Sequence, residues 1–284
     1  MIAWVDGRWV EAEDGRIPIA DRGFLYGDGV YDTCRLFEGR WFRFDEHARR
    51  LHASAAVLRI EPPPVEELRR LADGLAGRNP DVAHGTLRMT VTRGSGPRAA
   101  SAGAGSHRLV LTLQPLPGDW RERARRGWHC MTAATRHPPA SVMPPALKGQ
   151  GRVCSLLAAL EAEAAGCDQA LLLSTEGIVT EGATWNVFWR AGEVVRTPAE
   201  STGLLAGVTR ALVLELAEAA GYTVETGAWD RSELDTADEA FATMTSLGLV
   251  PLLSLDGRDF PGPRLAVDRL APLYWDRVRK ECHG

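Results

Sequence analysis

Alternation of apolar and polar residues marks the start of the chain. Ile2 to Val5 and Arg8 to Val10 flank Asp6-Gly7, a dipeptide suited to a two-residue hairpin, so a short β-meander is predicted. From Glu46 the period changes. Ala48, Leu51, Ala55 and Leu58 recur every three or four positions with Arg49, Arg50 and His52 between them, the pattern of an amphipathic helix. A second helix is predicted over Val65 to Leu75, and β-rich runs over Thr86 to Thr92 and Arg108 to Leu113 enclose the loop Arg93 to Gly105. The polar, proline-containing stretch Gln114 to Gly118 reads as an interdomain linker.

Beyond it, Ser155 to Ala165 is helix-forming, with Leu156, Leu157, Leu160 and Ala164 on one broad side and Gly166 as its stop. Strand character follows at Ala170 to Ser174, Ile178 to Thr180, Thr184 to Trp189 and Glu193 to Arg196, with turns at Glu176-Gly177 and Ala191-Gly192. Thr209 to Ala220 is helical, Glu239 to Thr245 returns to strand, and a closing helix covers Leu265 to Arg279. The pattern is α/β or α+β in both halves, without βαβ repetition, and assigns residues 1–114 and 120–284 to two domains joined by 115–119.

A length of 284 residues suits two medium domains, and 45% apolar with 25% charged residues is ordinary for a globular chain. The net charge of −4 leaves no electrostatic footprint for nucleic acid; the one dense basic run, Arg121 to Arg126, also carries Glu122. No apolar run approaches a membrane span, and Asp6 and Arg8 interrupt any secretory core at the start. Five cysteines, Cys34, Cys130, Cys154, Cys167 and Cys282, make no C-x-x-C pair and no metal-ligand spacing, which fits reduced thiols in cytoplasm and no metal. Lysine is the informative scarcity: among 33 basic residues only Lys148 and Lys280 are lysines. A preference for arginine codons accounts for the scarcity but not for Lys148 within the Pro/Gly-rich PPALKGQGRV; Lys280 sits in a charged terminal run.

Lys148 precedes a helix in a loop, where its amine can reach a cleft and, once deprotonated, form a Schiff base. Taken singly, a loop lysine is more often surface. Glu181, at the start of the apolar strand in TEGATWNVFW, is either an edge charge or a carboxylate that keeps a cofactor's pyridine nitrogen protonated. Gly207-Val208-Thr209 opens a helix with unsatisfied N–H groups and a hydroxyl; it is an anion site or a plain threonine cap. Arg50 and the segment Thr243 to Ser246, with Thr245, are candidates to complete a phosphate cup.

These segments together resemble the fold type IV, or class IV, pyridoxal phosphate aminotransferases, a group that includes D-amino-acid and branched-chain transaminases and aminodeoxychorismate lyase. The resemblance runs from DRGFLYGDGVYDTCRLFEGR and EHARRLHASA through VTRGSGPR and the lysine segment. It continues through DQALLLSTEGIVTEGATWNVFW, TGLLAGVTR, FATMTSLGLVP and LDGRDFPGP. It implies a smaller N-terminal α/β domain and a larger C-terminal domain with pyridoxal 5'-phosphate at their interface, in a homodimer. It also implies that Lys148 forms the internal aldimine and shuttles protons, and that Glu181 pairs with the pyridine nitrogen. Arg50, the Val208 and Thr209 backbone and Thr245 would hold the phosphate. One departure is visible: the asparagine that family members commonly carry three or four positions after the lysine is replaced here by the Gly151-Arg152-Val153 stretch.

The loop VTRGSGPRAA is similar to that of D-amino-acid transaminases, which implies that Arg98 binds the substrate carboxylate from the neighbouring subunit and that Tyr31 lies on the carboxylate side; Ala100 stands where those enzymes have a histidine. The implied reaction is transfer of an amino group from an amino acid, foremost a D-amino acid, to a 2-oxo acid through the pyridoxamine form of the cofactor. Branched-chain L-amino-acid or (R)-amine transamination, aminodeoxychorismate lysis and non-catalytic cofactor binding are the alternatives.

Overall fold

The computed structural model describes residues 1–96 and 107–284. Asp6 and Gly7 both adopt positive φ, 46° and 94°, and this tight corner joins β1 (Ile2–Val5) to β2 (Arg8–Glu11). After the short α1 (Arg22–Tyr26), capped by the Asp21 carboxylate, come β3 (Gly29–Phe37), β4 (Arg40–Phe42), α2 (Phe44–Val57), α3 (Val65–Arg78), β5 (His84–Thr92) and β6 (Arg108–Pro115). The strands form one antiparallel sheet in the order β2-β1-β6-β5-β3-β4. Alternation along β3 turns Val30, Cys34 and Leu36 into a core with Leu51 and Ala55 of α2 and Leu68 and Leu71 of α3, while Tyr31 and Thr33 point the other way.

The second sheet has nine strands. After α4 (Trp120–Arg126) come β7 (Trp128–Thr132), α5 (Val153–Ala164), β8 (Gln169–Leu173), β9 (Val179–Gly182), β10 (Asn186–Ala191) and β11 (Val194–Pro198). These are followed by α6 (Val208–Ala219), β12 (Thr223–Gly227), β13 (Glu239–Met244), β14 (Gly248–Leu255), β15 (Arg258–Asp259) and α7 (Leu265–His283). Their order is β12-β11-β10-β13-β14-β7-β8-β9, with β15 on β14, and parallel pairing is confined to β11/β12, β14/β7 and β7/β8. The mixed α/β class matches expectation. Trp128, Val187, Trp189, Ala242 and Val250 pack one core, and Ala158 and Ala162 of α5 pack on Ala170 and Leu172 in another.

The chain divides into two units, and the division differs from the expected 1–114, 115–119 and 120–284. The first unit comprises Met1–Leu116, Ala146–Gly151 and Lys280–Gly284; the second comprises Pro117–Pro145 and Arg152–Arg279. Hydrogen bonding explains why the lysine segment belongs to the first unit: the Tyr31 N–H donates to the Lys148 carbonyl (3.0 Å), the Gln150 N–H to the Gly29 carbonyl (3.1 Å), and the Lys148 N–H to Ser54 Oγ (3.0 Å). A second difference concerns α5. Its expected apolar side is not its packed side: Val153, Leu156, Leu157 and Leu160 are 45–61% exposed in the single chain. No helix among the described residues is long and apolar enough to cross a membrane.

Candidate active site

In the first unit, Lys148 lies beside Tyr31. The strand-like pairing of its loop with the start of β3 brings its Nζ to 5.1 Å from the centre of the Tyr31 ring. On the same ring the Arg88 guanidinium sits 3.6 Å from the centroid, within cation–π range, and Arg88 has no carboxylate partner among the described residues. Register accounts for its position: Arg88 of β5 is opposite Thr33, two residues from Tyr31 on the same face. Residue order alone could not reveal Arg88, because pairing between β3 and β5 is needed to bring it there.

The opposite face of β3 places the Asp32 carboxylate in the core, fully buried. Two α2 residues one turn apart meet it. Arg50 donates through Nε to Oδ2 (2.8 Å) and through Nη2 to Oδ1 (2.9 Å), and His47 Nδ1 lies 2.8 Å from Oδ1. An ionised carboxylate only accepts, so His47 carries its proton on Nδ1. Burial alone would raise the Asp32 pKa; the Arg50 charge and the His47 and Arg50 contacts outweigh it and hold the carboxyl below its ordinary value. Burial lowers the pKa of His47 and prevails over the opposing Asp32 carboxylate, with Arg50 and Lys148 adding to the decrease. Arg50 is thus held in place as part of a buried network. Asp32 and His47 had no signal in the linear pattern.

In the second unit, Glu181 on β9 is 4% exposed. Its Oε2 accepts from the Leu205 N–H (3.0 Å) and lies 3.3 Å from Asn186 Nδ2; its Oε1 lies 3.4 Å from His137 Nε2 and 3.6 Å from Arg152 Nη2. Asn186 also donates to the Leu205 carbonyl (3.0 Å), which fixes the loop that leads to α6. Val208 and Thr209 form the first turn of α6 after Gly207, where no side chain caps the helix, and a Cβ on Gly207 would collide with Asn186 Oδ1. Thr245 lies in the turn between β13 and β14, and the nearby Thr243 Oγ1 is buried without a hydrogen-bond partner among the described residues.

The structure therefore places Lys148, Tyr31 and Arg50 in the first unit and Glu181, Val208, Thr209 and Thr245 in the second. Arg98 and Ala100 lie outside the described residues. Tested one unit at a time, the residues fit a phosphorylated pyridine cofactor: an amine beside an aromatic ring and an anchored arginine in one, and in the other a buried carboxylate, an uncapped helix start and an orphaned hydroxyl.

Residues 29–255 match the amino-transferase class IV family model. A protein of Methanocaldococcus jannaschii that bears the provisional name branched-chain-amino-acid aminotransferase is 33% identical over 91% of this chain and 89% of its own. The D-alanine aminotransferase of Bacillus licheniformis is 32% identical over 91% of each chain, and the aminodeoxychorismate lyase of Bacillus subtilis is 31% identical over 99% and 96%. Among solved structures, the branched-chain amino acid aminotransferase of Escherichia coli superposes with a TM-score of 0.92 at 25% identity, covering 100% and 96% of the two chains. A second branched-chain amino acid aminotransferase, solved with pyridoxamine 5'-phosphate, gives 0.90 at 29% identity, covering 99% and 95%. This chain belongs to the class IV aminotransferases, enzymes that work with pyridoxal 5'-phosphate.

Proposed function

We propose that this enzyme takes its amino group from an amino acid, foremost a D-amino acid, and delivers it to a 2-oxo acid, as a homodimer in the cytoplasm. The observation that carries the amino-acid reading is Tyr31, whose ring meets Lys148 Nζ and the Arg88 guanidinium, which has no carboxylate partner among the described residues. A cation beside the reacting amine recognises a substrate carboxylate, which a simple amine lacks. The D preference rests on TRGSGPR, with Arg98 as the second carboxylate contact, and has the relationship to D-alanine aminotransferase in its support.

When bound, the cofactor supplies an electron-withdrawing ring that stabilises negative charge at the substrate α-carbon. Lys148 Nζ would be its covalent anchor and would serve as the base at the substrate α-carbon. The Glu181 carboxylate holds the proton on the pyridine nitrogen. Arg50, immobilised by Asp32, would be the phosphate ligand of the first unit, and the Val208 and Thr209 N–H groups with the Thr245 hydroxyl would be those of the second. The homodimer draws support from α5: an exposed row of Val153, Leu156, Leu157 and Leu160 is the apolar surface a second copy would cover.

A donor panel tests the reading. D-Alanine, L-leucine and (R)-1-phenylethylamine are each supplied with pyruvate or 2-oxoglutarate, and aminodeoxychorismate is supplied with no acceptor. D-Alanine is expected to be the best donor. L-Leucine as best donor would make the enzyme a branched-chain transaminase, and pyruvate released from aminodeoxychorismate without an acceptor would make it a lyase.

A further inference from the structure

The departure from the family's asparagine after Lys148 has a structural consequence in the second unit. Arg152 stands at the cap of α5 and turns its guanidinium back towards β9: Nη2 lies 3.2 Å from the Ala183 carbonyl and 3.6 Å from Glu181 Oε1. The two oxygens of Glu181 are then unlike. Oε2 faces neutral donors set by the fold, the Leu205 N–H and the Asn186 amide, whereas Oε1 faces a permanent cation.

The other groups around this carboxylate do not duplicate Arg152. His137 Nδ1 lies 2.9 Å from the Pro138 carbonyl and its Nε2 3.4 Å from Oε1, but an imidazole, unlike a guanidinium, is not a permanent cation. Arg210 on α6 acts on Glu181 through its charge alone; its guanidinium donates to the Pro198 carbonyl (2.8 Å) and lies 3.8 Å from Glu200. An asparagine at position 152 would bring no charge to Oε1, so this electrostatic contact belongs to the Gly151-Arg152 sequence.

We propose that Arg152 is a positioning residue that acts through Glu181, competing for Oε1 with the proton on the bound cofactor's ring nitrogen. The inference rests on the proposed pairing of Glu181 with that nitrogen. The enzyme thereby keeps the ring proton less tightly than Glu181 alone would, and the electron demand of the ring is reduced accordingly. Removing a permanent cation from beside Oε1 should therefore raise the pH at which the ring nitrogen deprotonates.

The test is nitrogen NMR of the holoenzyme reconstituted with ring-¹⁵N pyridoxal 5'-phosphate, read across pH for the parent, Arg152→Gln, Arg152→Lys, Glu181→Gln and the double variant Arg152→Gln/Glu181→Gln. Arg152→Gln should move the deprotonation midpoint upward, Arg152→Lys should stay near the parent, and Arg152→Gln should add nothing in the Glu181→Gln background. Should Arg152→Gln fail to retain cofactor, Arg152→Met takes its place. An unmoved midpoint in a folded, loaded charge-deletion variant overturns the proposal. So does an equal shift with Glu181 already neutralised, which would mean direct action on the cofactor. A resonance that Glu181→Gln leaves unchanged is a distinct result: it removes the pairing of Glu181 with the ring, and the inference with it.

Discussion

Asp32 grips Arg50 with both carboxylate oxygens, at 2.8 and 2.9 Å, from the core-facing side of the strand that carries Tyr31 on its other side. A buried carboxylate of this kind holds Arg50 in one place instead of leaving it a mobile surface charge, which would preset it for the phosphate role proposed above. Removing it strands a guanidinium and an imidazole, and breaking a buried pair in this way costs about 3–5 kcal/mol. Asp32→Ala should lose about that much in urea unfolding and bind pyridoxal 5'-phosphate more weakly; unchanged cofactor affinity in a folded variant would separate Asp32 from the phosphate role of Arg50.

Acid should weaken the native state in two stages. The pKa of His47 is depressed from its ordinary 6.5, so the unfolded chain takes up the proton first and stability falls as pH drops below that value. The Asp32 contribution is complete above its ordinary 3.8 and is lost progressively as pH falls below that value towards its lower native one. Melting temperature measured from pH 8 to pH 2 should decline in that order, and His47→Gln should remove the first stage. An unaltered acid limb in His47→Gln would show that other groups set it.

Lys148→Ala should abolish turnover and the borohydride-reducible link to cofactor. Lys280, the second lysine, is exposed near the end of α7 and cannot replace it. Peptide mapping of the reduced holoenzyme checks this directly. Label on Lys280, or normal activity in the variant, would refute the assignment.

Glu181→Gln should slow α-proton abstraction far more than it lowers cofactor occupancy, since an amide cannot hold the pyridine nitrogen protonated as a carboxylate does. Single-turnover kinetics beside a cofactor titration separates the two effects. Equal losses in both would reduce Glu181 to a structural residue.

Arg88→Ala should weaken amino-acid use by roughly ten- to a hundredfold, the equivalent of a charge-assisted contact of about 1.5–3 kcal/mol, and should spare (R)-1-phenylethylamine. The same comparison with Arg98→Ala tests the contact expected from the sequence. If only Arg98→Ala discriminates against carboxylates, Arg88 serves Tyr31 packing alone.

Local pattern was enough for the elements whose periodicity is strong. The spacing of Ala48, Leu51 and Ala55 made α2 readable, and Asp6-Gly7 the first hairpin, because a helix face and a two-residue turn depend on neighbours close in the chain. Strand β14 escaped because its apolar run has no alternation and contains Pro251, yet it lies between β13 and β7 with Pro251 opposite Phe241. The ordered motifs made the family legible. What tertiary structure alone decided was company. The sequence contains Lys148 well past the linker, but hydrogen bonds to Gly29, Tyr31 and Ser54 draw its segment into the first unit. The sequence spells Arg50 as one of several arginines on an amphipathic helix, but only a carboxylate arriving from β3 makes it a buried partner. Arg152 likewise meets Glu181 only because β9 returns beside the start of α5. Period and turn chemistry are local, whereas the pairing of charges distant in sequence exists only once strands have found their register and the core has closed around them.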